Sequence, residues 1–151
     1  MTEFKEPDPD FARRVRESFR RQAIMGLIGA VLTGVEPGEV EIELPFRPDL
    51  TQQHGFLHAG VVTTIVDSAC GYAALSLMPA DTAVLAVEIK VNFLEPARGE
   101  KLIARGRVTR SGRTLSTCAG DVHAIDGPAR THVATALSTV MTITDHAKLR
   151  G

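Results

Sequence analysis

Gln53-His54-Gly55-Phe56-Leu57-His58-Ala59-Gly60-Val61-Val62-Thr63-Thr64-Ile65-Val66-Asp67 carries a glycine-punctuated polar turn into an apolar segment. The segment continues through Ser68-Ala69-Cys70-Gly71-Tyr72-Ala73-Ala74-Leu75. Val62, Ile65, Val66, Ala69 and Ala73 recur at helical spacing, which predicts one helix over 59–77. That helix is apolar nearly all round, so other structure must wrap it. Its middle holds one carboxylate, Asp67. A charge at that depth is costly unless it is paired, hydrogen-bonded or functional, and Asp67 is therefore the first candidate for chemistry.

Around this helix the periodicity is that of strands. Ala30–Val35 and Val40–Pro45 flank Glu36-Pro37-Gly38-Glu39, the Pro-Gly signal of a hairpin. Val40, Ile42 and Leu44 alternate with Glu39, Glu41 and Glu43, so the second strand buries one face. Beyond the helix, Val84–Phe93 alternates Leu85, Val87, Ile89, Val91 and Phe93 against Glu88, Lys90 and Asn92. Lys101–Arg110, Thr114–Ile125 and Thr131–Thr144 follow, joined at Ser111-Gly112-Arg113 and Asp126-Gly127-Pro128. Ahead of the sheet, Asp10 is placed to cap a short helix whose Phe11, Val15, Ser18, Phe19 and Gln22 share a face; Gly26 and Gly29 then break the helical pattern. Strands and helices do not alternate, so the class is α+β with an antiparallel sheet. The central helix is the one element apolar enough to fill a concave sheet face. A curved sheet of about five to six strands wrapped around it is the expected architecture, in one domain over 1–151. Residues 1–28 form a lead-in with the short helix, and 145–151 a polar tail.

Composition narrows the classes. With 151 residues, 44% of them hydrophobic, the chain can bury a core. Seventeen basic against eighteen acidic side chains leave a net charge of −1, which argues against nucleic acid as a partner. Cys70 and Cys118 lie far apart with no CxxC, so neither a metal site nor a disulfide framework is expected. There is no leader-like apolar segment or membrane-length apolar run, and a cytoplasmic setting is the expectation.

The spacing of His58-Ala59-Gly60 and Asp67, on this architecture, resembles the hotdog-fold acyl-CoA thioesterases, and within them the phenylacetate-pathway (PaaI-type) branch. The loop Gln52-Gln53-His54-Gly55, the run Val87-Glu88-Ile89-Lys90-Val91-Asn92-Phe93-Leu94-Glu95-Pro96 and Gly112-Arg113-Thr114 extend the resemblance over roughly 29–143. Three positions depart from the branch. Gln52 stands where Asn is frequent, Ala59 where Gly is usual, and Ala86 at a position where Ser or Thr occurs in relatives.

The resemblance implies hydrolysis of aryl or short to medium acyl-CoA thioesters, with CoA as part of the substrate and no further cofactor. Asp67 is the expected nucleophile or general base. The N–H groups of Ala59 and Gly60 at the helix start are the expected oxyanion hole, since a helix N-terminus offers free donors and partial positive charge. His58 is expected to position the loop and Gln52 to orient water or the thioester. Gly55 admits substrate to the backbone, Arg110 and Arg113 meet the CoA phosphates, and Tyr72 lines the acyl pocket. Eight residues of helix span about 12 Å, so Asp67 cannot reach its own helix start. The family pairs one subunit's helix start with the other's acid, and a homodimer, assembled further into a homotetramer, is expected.

The plainer readings are a carboxylate bonded to Thr63 or Thr64, a simple cap at His58, and arginines that serve solubility. Glu88 is the rival carboxylate, turned outward by default. Two other functions compete: a hotdog hydratase or dehydratase acting on acyl thioesters, and a non-catalytic acyl-CoA binding protein.

Overall fold

The computed structural model describes residues 4, 5 and 8–145, so the tail beyond Asp145 and part of the N-terminal lead-in lie outside the described residues. Two short helices, α1 (Phe11–Arg21) and α2 (Ala23–Ile28), precede strands β1 (Val31–Glu36) and β2 (Glu39–Pro45). The long helix α3 (Ala59–Leu75) follows. Four strands complete the chain: β3 (Ala83–Phe93), β4 (Lys101–Ser111), β5 (Leu115–Asp126) and β6 (Ala129–Ile143). They form one antiparallel six-stranded sheet in the order β1-β2-β4-β5-β6-β3, with β1 and β3 at its edges.

The sheet lays one face on α3, which touches β2, β3, β4, β5 and β6. Alternation decides which residues meet it: Leu102, Ala104 and Val108 of β4 and Cys118, Val122 and Ala124 of β5 are buried beneath the helix. Val62, Ile65, Val66, Ala69 and Ala73 answer from α3. At the centre, Gly106 and Gly120 sit opposite each other, and a Cβ on Gly106 would lie 2.3 Å from the Ala69 carbonyl carbon. Glycine is what allows the helix backbone to rest on the strands there.

The helix boundaries differ from the sequence expectation at two places. α3 ends at Leu75, earlier than 77, since Pro79 has no N–H to continue the ladder to the Leu75 carbonyl. Arg14 reaches in from α1 and donates to the carbonyls of Leu75 (3.3 Å) and Met78 (2.7 Å). A cation on the last carbonyls is a favourable end to a helix, and Asp8 holds that guanidinium in an ion pair at 2.9 Å. Gly26 does not break the helix but lies inside α2; Gly29, at φ 80°, ends it in the left-handed region open to glycine.

The third strand also departs from simple alternation. A bulge between Ala86 and Glu88 shifts its pairing with β6, so Ala86 pairs with the buried Val140 while Leu85 pairs with Met141 on the outer face. Ile89, Val91 and Phe93 then share the helix-facing side with Ala86, and Leu85 does not. The free edge of β3 leaves Leu85, Val87 and Phe93 about half exposed. None of the helices of the described residues is long and apolar enough to cross a membrane.

Candidate active site

The start of α3 is held from both sides before the helix begins. The Leu57 N–H donates to the Ala97 carbonyl (2.9 Å) and the His58 N–H to the Leu50 carbonyl (3.0 Å). Upstream, Gly55 at φ 82° closes the loop, its N–H donating to the Gln52 carbonyl at 3.0 Å. The Gln52 side chain takes part in the same turn: its Oε1 accepts the His54 N–H.

His58 is the N-cap, and its Nδ1 accepts the Gly60 N–H at 2.8 Å. The Ala59 N–H, by contrast, meets no acceptor among the described residues. Of the two donors expected at the oxyanion hole, Gly60 is engaged by its own cap and Ala59 is open. Ala59 occupies the first helical position without a positive φ, so its replacement of glycine brings no backbone strain. Ala59 and Gln52 wall a cavity of about 370 Å³ together with Phe56, Leu57, Phe93 and Leu94.

Asp67 lies elsewhere. Thr63 and Thr64 donate to the Ala59 and Gly60 carbonyls (2.9 and 2.7 Å), so neither bonds the carboxylate. The Asp67 carboxylate has no hydrogen bond or ion pair among the described residues, and burial pushes its pKa above the ordinary value. It faces a second cavity, of about 720 Å³, whose walls include Gly71, Tyr72, Val84, Ala86 and Val140. Tyr72 is buried there, its ring 5.9 Å from that of Phe19. Ala86 reaches this cavity because of the bulge in β3, and it brings no hydroxyl group to the acid.

The structure thus separates the predicted residues into three places. Gln52, Gly55, His58, Ala59 and Gly60 gather at the start of α3; Asp67 and Tyr72 share the larger cavity. Arg110 and Arg113 are exposed at the β4–β5 turn and line neither cavity. Glu88 is turned to the outer face, where its Oε1 accepts from Thr139. Sequence reasoning missed Ser18, Arg21 and Gln22, which border the Asp67 cavity from α1 and the residue that follows it. Ser18 and Gln22 do lie four apart on the face that the sequence assigns to packing, and that spacing was the available signal. Among the described residues no group of three or more His, Cys, Asp or Glu is arranged to hold a metal ion.

The model of the Thioesterase superfamily matches residues 54–130. A thioesterase family protein of Silicibacter pomeroyi, solved by crystallography, is 48% identical with a TM-score of 0.87, over 88% of this chain and 98% of that one. Human acyl-coenzyme A thioesterase 13 is 28% identical over 67% of this chain and 71% of its own length. The PaaI protein of the E. coli phenylacetic acid degradation operon shares the fold, with a TM-score of 0.79 at 17% identity over 89% of this chain and 94% of that one. The helix wrapped by an antiparallel sheet is the hotdog fold, and with these matches the chain belongs to the thioesterase superfamily as a thioester hydrolase.

Proposed function

We propose that the protein hydrolyses acyl-CoA thioesters in a site shared between two subunits. The observation that carries the reading is the half-buried Asp67, its carboxylate without a partner among the described residues, in a cavity bounded by the first residues of the free edge strand. Ala83–Ala86 of β3 border the Asp67 cavity, whereas Phe93 at the other end borders the cavity of Ala59. If β3 pairs with its own copy about a two-fold axis near Glu88, the start of each strand meets the end of the other. That antiparallel pairing satisfies the open ladder of an edge strand, and it brings one subunit's Asp67 to the other's Ala59.

In that arrangement the thioester oxygen accepts the Ala59 N–H, aided by the positive end of α3. The Asp67 carboxylate attacks the carbonyl carbon or takes a proton from water that does so. By direct attack the C–S bond breaks as a mixed anhydride forms on Asp67. Water then hydrolyses that anhydride, freeing the acid and the carboxylate and supplying the proton that the CoA thiolate takes up. By water activation the new C–O bond comes from water, the C–S bond breaks, and the proton held by Asp67 passes to the departing thiolate. Gln52 borders the oxyanion side, and its amide N–H groups remain available to substrate. His58 holds the helix start in place, and Gly55 lets substrate approach the loop.

Arg110 and Arg113, exposed and without ion pairs among the described residues, are the groups we assign to the CoA phosphates. The chemistry takes no cofactor besides CoA. Two such dimers assemble into a tetramer through the sheet's outer face, where Leu115, Leu137 and Met141 are exposed on paired strands. Cys70 and Cys118, buried and unlinked, suit a cytoplasmic setting.

The test is free-thiol release from aryl- and alkyl-CoA thioesters by wild type and Asp67→Asn. The reading expects turnover in the wild type and a loss of at least roughly a hundredfold in the variant. A wild type that binds these thioesters and releases no thiol would make the protein a binder.

A further inference from the structure

The family match begins at residue 54, so α1 and α2 lie outside it. Yet Ser18, Arg21 and Gln22 form one wall of the cavity that holds Asp67. Two i,i+4 pairs face each other there: Ser18 and Gln22, and Tyr72 and Ser68 from α3. Ser68 donates to the Gln22 Oε1 at 3.3 Å, and the hydroxyls of Ser18 and Tyr72 lie 3.4 Å apart. Gln22 is fixed at its backbone as well, since its N–H donates to the Phe19 carbonyl and its carbonyl accepts the Met25 N–H.

This wall has donors to spare. The amide N–H groups of Gln22 have no acceptor among the described residues, and one of the two protons in the Ser18–Tyr72 pair is unused. Arg21 is exposed and forms no ion pair among the described residues, and its charge acts on the Tyr72 hydroxyl. Asp67 is the one carboxylate among the described residues that borders the cavity. Leu75, Val84, Ala86 and Val140 make the facing wall apolar. Tyr72 stands five residues beyond Asp67, about 7.5 Å along the helix axis, within reach of a roughly six-carbon acyl chain.

We infer that Ser18, Arg21 and Gln22 select acyl groups that carry an oxygen function at the end remote from the thioester, a carboxylate above all. The apolar wall takes the carbon stem, and the donors of α1 and Tyr72 take the distal oxygen. The choice of acyl group then resides in a segment outside the matched residues 54–130. This inference rests on the thioesterase reading for its substrate and adds the selection of the acyl end.

Three CoA thioesters of matched length test it: hexanoyl, 6-hydroxyhexanoyl and 5-carboxypentanoyl. Thiol release by wild type should favour the hydroxyl form over hexanoyl by roughly threefold to tenfold and the carboxylate form by roughly tenfold or more. Arg21→Met should bring the carboxylate form down to the level of the hydroxyl form, and Ser18→Ala should lower both oxygen-bearing forms relative to hexanoyl. A wild type that prefers hexanoyl, or an Arg21→Met variant that changes all three alike, overturns the inference. Calorimetric binding of the same three thioesters to Asp67→Asn separates this from the hydrolytic reading. Graded affinity with no wild-type turnover would sink the thioesterase and keep the selection. Equal affinity would sink the selection alone, and no binding at all would sink both.

Discussion

The Nδ1 of His58 accepts the Gly60 N–H at 2.8 Å, and that bond decides which donor at the start of α3 is open. A ring nitrogen that accepts is unprotonated, so the neutral imidazole carries its proton on Nε2. The bond is an N-cap, and removing such a cap costs about 1 kcal/mol. His58→Ala should therefore lower Tm by roughly 2–4 °C and reduce kcat/KM, because the Ala59 donor loses its support. His58→Asn, with a side chain suited to capping, should recover most of both. Thermal melts and thiol-release kinetics on the two variants check this; equal damage in both would assign His58 a role beyond the cap.

Ala59 offers a sharper substitution. It occupies the first helical position, where proline is well tolerated because the N–H has no partner within the helix. The residue before it, His58, has φ −62° and ψ 139°, already suited to precede proline. Ala59→Pro should fold with nearly unchanged Tm while turnover falls roughly 10²- to 10³-fold, the cost of one oxyanion donor. Retained turnover would remove the Ala59 N–H from the mechanism.

Asp67 couples activity to stability through pH. Burial disfavours its anion, so the folded chain holds the carboxyl proton more tightly than the unfolded chain does. The cost is absent below the ordinary carboxylate pKa, and it grows as pH rises through the raised folded value. Asp67→Asn should thus raise Tm at neutral pH, since the amide carries no charge to desolvate. That gain should vanish near pH 3, well below the folded pKa. Wild-type turnover should rise with pH, with its acidic limb displaced above the ordinary carboxylate range. Melts of both proteins across pH, beside the rate profile, test the two signs together.

Gly106 and Gly26 should respond in opposite ways to alanine. A Cβ at Gly106 would meet the Ala69 carbonyl carbon at 2.3 Å and the Cys70 nitrogen at 2.4 Å, both backbone atoms that cannot swing aside. Gly106→Ala should cost about 1–3 kcal/mol or more and show as a lowered Tm or poor yield. A Cβ at Gly26, inside α2, meets nothing within 4 Å. Gly26→Ala should be neutral or stabilising by about 0.4–1 kcal/mol. Denaturant midpoints for the pair check both.

The architecture was legible because its signals are periodic: a helix apolar all round demands a wrapper, and alternation at Val40–Leu44 and Leu102–Val108 supplies one. What alternation could not show is the bulge in β3, which moves Ala86 to the helix side and Leu85 to the outside, since a bulge leaves no fixed mark in residue order. At the site, the length of α3 already separated Asp67 from Ala59. The cap at His58 consumed the Gly60 donor, a detail of side-chain geometry. The wall made by Ser18, Arg21 and Gln22 was hidden for another reason: it depends on α1 crossing α3, a contact between segments 46 or more residues apart.

The claim that two subunits build each site is tested most directly by mixing two inactive variants. Asp67→Asn and Ala59→Pro are purified separately, unfolded together and refolded as an equal mixture. Random pairing makes about half the dimers mixed, and each mixed dimer has one intact site, so about one quarter of wild-type thiol release should return. No recovery, from a mixture shown to contain mixed dimers, would contradict a shared site and confine the chemistry to a single chain.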